Sequence, residues 1–350
     1  MKTKYTPNRI LIWCPNWVGD AVMATPALRA VRDRFPESHI VLLCKPTIAE
    51  LLSGLPFFDE TVDTPGQGNG RSLMNAALSL RKEKFELGLI LTHSFRSALL
   101  ARLAAIPRRV GYDLQGRGFM LTDPLQPPRE GRKKRPGYMV DEYLAIARYV
   151  GCSASDRSLQ LAVSPEAALQ ARQLLTPAGS EGTRPLVGIA PGAFFGSSKL
   201  WYPDRWAAVA DALVERFDAS IVIPTAPIEH ELYEQIESSM ESRPVPLAET
   251  PVSLELLKAI ASELDLLLCT DCGARHVAVA FGVPTVVLMG PTDPRYTTSD
   301  CEKGVIIRED IACSPCHKKV CPTDHECMQK ITPETVVKAA SAILEHGAIV

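Results

Sequence analysis

Short, wholly apolar runs alternate with helix-length stretches from one end of this chain to the other, and the alternation is interrupted once, near the middle. Ile10-Leu11-Ile12-Trp13, Ile40-Val41-Leu42-Leu43, Leu186-Val187-Gly188-Ile189-Ala190 and Val286-Val287-Leu288 carry no polar residue at every second position. Strands of that kind are buried on both faces, which is the condition of a parallel sheet covered by helices. The interruption is Thr176-Pro177-Ala178-Gly179-Ser180-Glu181-Gly182-Thr183-Arg184-Pro185, a linker by composition. The chain is therefore expected to be α/β, with two doubly wound domains over residues 1–178 and 179–350 facing across a cleft. A closing helix is predicted over 332–346, opened by Thr332-Pro333-Glu334, and is a candidate to pack back on the first domain. A length of 350 residues suits two such cores better than one.

The first unit is also the most informative. Arg9-Ile10-Leu11-Ile12-Trp13 reads as a strand, Cys14-Pro15-Asn16-Trp17-Val18-Gly19-Asp20 as a turn, and Ala21 onward as a helix. That order delivers the turn to the carboxyl edge of a parallel sheet, where open α/β folds bind ligands. Asp20 has two readings there. It caps the helix N-terminus, or it is a catalytic carboxylate. Capping would lower its pKa and weaken it as a base, which suits a reaction whose proton moves late.

Thirty-eight basic and 40 acidic side chains leave a formal charge of −2, so bulk charge predicts no nucleic-acid partner. No apolar run approaches the ~20 residues of a spanning helix, and Met1-Lys2-Thr3-Lys4-Tyr5 has no signal-peptide core, so a cytoplasmic protein is expected. Arg108 to Arg135 is rich in arginine and broken by glycine and proline, and reads as loop. Such a run is a solvated surface or a receiver of anionic substrate or lipid. Ser94 either caps the helix that follows it or faces the crevice with Arg96.

Three loops of the second half follow predicted strands. Pro191-Gly192-Ala193-Phe194-Phe195-Gly196-Ser197-Ser198-Lys199 offers backbone N–H donors, hydroxyls and a cation, which suits a diphosphate, although it is no Walker A loop. Glu229 follows the next strand and can hold ribose hydroxyls. Thr270-Asp271-Cys272-Gly273 opens a helix whose N–H groups form an anion site, with His276 one turn on. Asp271 as a cap, His276 as a core residue and Lys199 as a solvated cation are the plainer readings. No G-x-G-x-x-G is present, which argues against a dinucleotide dehydrogenase. Cys313, Cys316, Cys321 and Cys327 crowd together with His317 and His325; they are either a zinc site of irregular spacing or a reduced surface loop.

Asn16-Trp17-Val18-Gly19-Asp20-Ala21-Val22-Met23, Pro191-Gly192-Ala193 to Lys199 with Trp201, Asp271 with Gly273 and His276, and Gly290-Pro291-Thr292 together resemble the ADP-heptose:lipopolysaccharide heptosyltransferases, glycosyltransferase family 9. The subfamily resembled most is heptosyltransferase II, which Ser94 to Leu99, Ile106-Pro107-Arg108-Arg109 and Val140-Asp141-Glu142-Tyr143 also match, so the resemblance runs nearly end to end. It implies the GT-B fold, two Rossmann-like domains with the acceptor on the first and the ADP-sugar on the second. It implies Asp20 as general base and Lys199 as the cation on the departing diphosphate, in an inverting transfer with no metal and no cofactor. Asn16, Trp17, Ser94, Arg96, Arg108 and Arg109 would then bind the acceptor. Gly192, Ala193, Ser197, Ser198, Asp271, Cys272, Gly273 and His276 would hold diphosphate and sugar, with Glu229 on ribose and Val252 near adenine. The implied partners are ADP-heptose and a heptosyl-Kdo-lipid A acceptor, met by peripheral contact at the inner face of the inner membrane. Transfer at another core position, or a nucleotide-sugar-binding protein without turnover, are the neighbouring readings. Cys272 departs from the serine or threonine usual in the family, which matters only if a hydroxyl is needed there.

Overall fold

The computed structural model describes residues 6–65, 70–131, 133–175, 184–224, 226–247, 252–298 and 302–347. Residues 176–183 of the expected linker Thr176–Pro185, residues 66–69, Arg132, Thr225 and residues 1–5 lie outside them. The chain divides into two compact units, Met1–Gln160 and Leu161–Val350.

The first unit is a six-stranded parallel sheet of β1 (Arg9–Trp13), β2 (His39–Cys44), β3 (Glu60–Asp63), β4 (Leu87–Ile90), β5 (Arg108–Tyr112) and β6 (Asp123–Leu125), in the order β3-β2-β1-β4-β5-β6. Ile12 pairs with Leu42 on one side and Leu89 on the other, so the most apolar runs of the unit lie centrally. Its helices are α1 (Val18–Arg34), α2 (Pro46–Leu52), α3 (Gly70–Lys82), α4 (Phe95–Leu103) and α5 (Met139–Tyr149). Leu73, Ala77 and Leu80 of α3 and Ala98 and Ala101 of α4 pack with Leu11, Val41 and Ile90 of the sheet. In α1 the ring of Pro26 removes the N–H that Val22 O would accept, and the Thr25 hydroxyl donates to that carbonyl instead (2.8 Å), so the helix continues.

The second unit has a five-stranded parallel sheet. Its strands are β9 (Leu186–Ala190), β10 (Ser220–Val222), β11 (Leu266–Thr270), β12 (Thr285–Leu288) and β13 (Gly304–Ile307), ordered β10-β9-β11-β12-β13. Around it lie α6 (Pro165–Leu175), α7 (Pro203–Phe217), α8 (His230–Ser239), α9 (Leu254–Ser262), α10 (Gly273–Ala280), α11 (Glu326–Gln329) and α12 (Pro333–His346).

Two stretches differ from the sequence reading, and the closing helix has its apolar face in the second unit. Helix α6, which a first domain over residues 1–178 would include, packs in the second unit: Ala167, Ala171 and Leu175 join Leu186, Val222 and Ala259 in one core. Its apolar stripe at intervals of four matches the face of α9, and Ser164 N donates to Glu255 Oε1 (3.0 Å) at its start. Helix α12 buries Val336, Ala340 and Ile343 in the second unit's own core, beside Trp206 and Leu288. The arginine-rich stretch is not all loop. It contributes β5, β6 and a short antiparallel hairpin of β7 (Arg129–Glu130) and β8 (Lys133–Lys134). No helix among the described residues is long and apolar enough to cross a membrane.

In each sheet the strand order reverses once, between β1 and β4 in the first and between β9 and β11 in the second. The crevice outside the carboxyl ends of the strands at such a reversal is where doubly wound sheets bind ligands. Each unit therefore has one such place.

Candidate active site

In the first unit, β1 and β4 carry Asp20 and the segment 92–96 to their crevice. Trp17, not Asp20, is the N-cap of α1; Asp20 lies in the first turn, half-buried, and accepts a long hydrogen bond from the Tyr143 hydroxyl (3.4 Å). Burial, and then the Asp20 charge, push the Tyr143 hydroxyl pKa well up, so tyrosine is the donor in this pair. Asn16 and Trp17 stand exposed beside Asp20.

Ser94 is the N-cap of α4 and accepts from Ser97 N (3.2 Å), the capping role that its position suggested. Behind it lies Arg117, fully buried, which donates to the carbonyls of Tyr112 (2.8 Å) and Ser94 (3.0 Å) and to the Ser97 hydroxyl (3.1 Å). Burial lowers its pKa to about 10. Arg108 reaches Asp123 (3.4 Å), and Arg109 donates to the Met120 (2.7 Å) and Ile106 (2.5 Å) carbonyls, so both are engaged locally. Arg96 is half-buried at the same edge. His93 and Glu142 add a group that residue spacing gave no sign of. Lys134 Nζ bonds Glu142 (2.6 Å), His93 Nε2 lies 3.6 Å from the same carboxylate, and burial takes the His93 pKa down to about 4.

The second unit's crevice gathers most of the predicted donor residues. Lys199 is 9% exposed, not solvated, and its Nζ donates to Asp271 Oδ2 (2.5 Å) and to the Asp271 carbonyl (2.8 Å). The Phe195 ring lies under the ammonium, 5.0 Å from its centroid. Burial alone would raise the Asp271 pKa, but the charges of Lys199 and Arg275 and hydrogen bonds from Lys199 and Thr292 take it to about 2. Thr292 Oγ1 donates to Asp271 Oδ2 (2.7 Å), and Arg275, fully buried, lies 3.5 Å from Oδ1 and forks onto Glu302 (2.7 Å to each oxygen). Two cations and two carboxylates thus balance within one buried network.

Gly192 and Glu229 are pressed together. A Cβ at Gly192 would overlap the Glu229 carboxylate, which accepts from Ala226 N (2.9 Å), while the Gly192 carbonyl accepts from Thr270 Oγ1 (2.8 Å). Burial raises the Glu229 pKa. Cys272 is the N-cap of α10 and Gly273 its first residue, so their N–H groups lie at the positive end of that helix. His276 is buried one turn on, and its pKa falls to about 4 through burial and the Arg275 charge. It is a neutral imidazole at neutral pH. Ala193 and Val252 are half-buried, and Ser197 is exposed.

Ser198 is turned to another task. Its hydroxyl donates to the Lys318 carbonyl (2.5 Å), its N–H to the Lys319 carbonyl (3.0 Å), and its own carbonyl meets His325 Nε2 (2.6 Å). The cysteine-rich segment therefore braces the loop that carries Lys199. Gly196, at φ 155°, lets the Lys319 carbonyl approach where a Cβ would collide. Cys313 is exposed, Cys316 and Cys321 half-buried and Cys327 buried, all as free thiols. Among the described residues no three His, Cys, Asp or Glu side chains are arranged to hold a metal ion.

Residues 74–326, well over half of the chain, match the family model described as glycosyltransferase family 9 (heptosyltransferase). The chain belongs to glycosyltransferase family 9. As a family 9 enzyme it has the GT-B fold, with its two Rossmann-like sheets. It is 27% identical to the lipopolysaccharide heptosyltransferase 2 of Salmonella typhimurium, over 97% of this chain and all of that protein. It is 29% identical to the lipooligosaccharide heptosyltransferase 2 of Haemophilus influenzae, over 85% of this chain and 88% of that one. Among solved structures, the ADP-heptose lps heptosyltransferase II of Escherichia coli superposes with a TM-score of 0.75 at 26% identity, covering 96% of this chain and 98% of that one. A family 9 glycosyl transferase from Veillonella parvula gives a TM-score of 0.81 at 23% identity, covering 98% of each chain.

Within this family 9 enzyme, residue spacing missed Arg275 and Thr292 as partners of Asp271, and Tyr143 as the partner of Asp20. Arg275 was legible as the residue four places after Asp271, in the first turn of the helix that Asp271 precedes. Thr292 follows β12 by four residues, and only the strand order brings it beside β11.

Proposed function

We propose that this family 9 glycosyltransferase moves L-glycero-D-manno-heptose from ADP-heptose to the heptosyl-Kdo-lipid A inner core of lipopolysaccharide, with inversion at the anomeric carbon. The observation that carries the reading is its similarity, over nearly its whole length, to proteins named lipopolysaccharide heptosyltransferase 2.

In the proposed reaction Asp20 takes the proton of an acceptor hydroxyl as the hydroxyl oxygen bonds the anomeric carbon. The bond from that carbon to the β-phosphate oxygen breaks with its electron pair, and ADP departs. Asp20 is half-buried at the crevice and accepts a long bond from Tyr143, a position from which its carboxylate can take a proton. Lys199 does not act as an isolated charge, since Asp271 offsets it; its geometry is fixed, and two of its three N–H donors are engaged. The rest of the stabilisation of the leaving diphosphate is assigned to the N–H groups at the start of α10. Gly192 and Glu229 would receive the nucleoside. Asn16, Trp17, Ser94, Arg96, Arg108 and Arg109 are retained as the acceptor side, with Arg108 and Arg109 shaping it through their local bonds. The acceptor on the first unit, which ends at Gln160, and the donor on the second complete the proposal. Because the acceptor is lipid-anchored, the enzyme would work in peripheral contact with the inner face of the inner membrane.

The test is ADP release from ADP-heptose in the presence of Kdo-lipid A, heptosyl-Kdo-lipid A or the diheptosyl core. Turnover with the heptosyl acceptor alone is expected. Turnover only with another core would reassign the position, and ADP binding without turnover on any acceptor would leave a binding protein.

A further inference from the structure

We propose that the outward faces of α3 and α4, with the adjoining 3-10 turn Gly118–Met120, form the surface by which this protein rests on an anionic lipid bilayer. The inference rests on the proposed use of a lipid-linked acceptor and names the surface that would meet the lipid.

Four large apolar side chains stand out from these neighbouring elements: Phe119 is 68% exposed, Leu78 50%, Met74 45% and Phe95 41%. They are not leftovers of a poor core, because each helix already buries a full inner face on the sheet. Met74 and Leu78 are one turn apart on α3, on the flank beside the buried stripe of Leu73, Ala77 and Leu80. The Phe95 and Phe119 rings approach to 6.3 Å, and Arg102 Nη1 donates to the Phe119 carbonyl (2.9 Å), so the turn is tied to α4.

The charge around them is mostly positive, with Asp113 beside Gly118 and Glu83 just past α3 as the acidic exceptions. No acidic residue occurs between positions 64 and 82 or between 87 and 112, although acids slightly outnumber bases in the whole chain. Arg71, Arg81 and Lys82 are exposed on α3 and Arg102 on α4. Protruding apolar groups rimmed by arginine and lysine match a headgroup layer of anionic lipid, into which the rings and aliphatic chains insert while the cations stay at phosphate depth. A nucleic acid would leave the apolar groups without a role.

Position adds a third argument. Phe95 and Arg96 directly follow Ser94, the cap residue at the carboxyl end of β4, so the patch begins at the edge of the first unit's crevice. A lipid-linked sugar held there need not leave the bilayer.

Flotation of the full-length protein with vesicles tests this. Vesicles of phosphatidylcholine containing phosphatidylglycerol should bind it at least about tenfold better than phosphatidylcholine alone, and less as salt is raised. The exposed-site variant Met74→Glu/Leu78→Glu/Phe119→Glu should lose about tenfold or more of that binding, and Arg71→Glu/Arg81→Glu should weaken it and flatten its salt dependence. Both should keep the wild-type melting temperature and the wild-type rate on a deacylated, water-soluble acceptor. Equal flotation of wild type and both variants, equal binding to neutral vesicles, or no binding at all would overturn the proposal. So would a dimer in sedimentation velocity that the triple variant dissociates while vesicle binding stays unchanged. Absence of heptose transfer by every form, with vesicle binding behaving as described, would sink the functional reading and leave the surface standing.

Discussion

Lys199 and Asp271 lie 72 residues apart in the chain and share one buried hydrogen-bonded ion pair. Removing one partner of such a pair strands the other without compensation, at a cost of about 3 kcal/mol or more. Arg275 and Thr292 still face Asp271 and soften that cost. Lys199→Ala is therefore expected to lower stability by about 2–3 kcal/mol and to weaken ADP affinity and turnover together. Urea unfolding and calorimetric titration with ADP check it; a variant with wild-type stability and ADP affinity would remove Lys199 from both roles. Sequence made Lys199 a candidate donor contact but could not tell whether it stands free, because its partner is set by the adjacency of β9 and β11.

Among the elements, the loop after β9 is held from two sides. Glu229 fills the space over Gly192, and the cysteine-rich segment grips Ser198. Gly192→Ala forces the Glu229 carboxylate aside, an overpacking worth about 1–3 kcal/mol, so ADP should bind roughly tenfold more weakly, with a smaller loss for Gly192→Ala in a Glu229→Ala background. Equal ADP affinity in wild type and Gly192→Ala would show that the contact has no part in donor binding. The central strands of both sheets were legible because each is a continuous apolar run. Strands β3 and β13 escaped notice since Glu60-Thr61-Val62-Asp63 and Gly304-Val305-Ile306-Ile307 sit at sheet edges, where a polar or partly exposed strand suffices. Helix α6 was readable as a helix but not as part of the second core, which its stripe of Ala167, Ala171 and Leu175 decides only once α9 is in place.

At the scale of the whole molecule, each unit keeps a neutral histidine under cover, His93 in the first and His276 in the second, both with pKa values near 4. Their ordinary value is about 6.5, so the unfolded chain takes up protons first as pH falls. The stability each contributes is intact above about pH 6.5 and is lost progressively down to about pH 4, roughly 2 kcal/mol per histidine by pH 5. Glu142 and Glu229, both raised by burial, act in the opposite sense and gain stability as pH falls. Comparing wild type with His276→Gln isolates one histidine: the wild type should lose about 2 kcal/mol more between pH 7 and pH 5. Parallel pH profiles for the two proteins would mean that His276 is not held neutral. The two-unit α/β plan was readable from alternation alone, whereas the division at Gln160 depends on where α6 packs.

In the proposed transfer Asp20 is the group that accepts the acceptor's proton. Turnover of ADP-heptose with heptosyl-Kdo-lipid A, measured for wild type and Asp20→Asn alongside calorimetric ADP binding, addresses it directly. The prediction is a loss of about a hundredfold or more in turnover with ADP affinity unchanged; comparable turnover in the two proteins would contradict it.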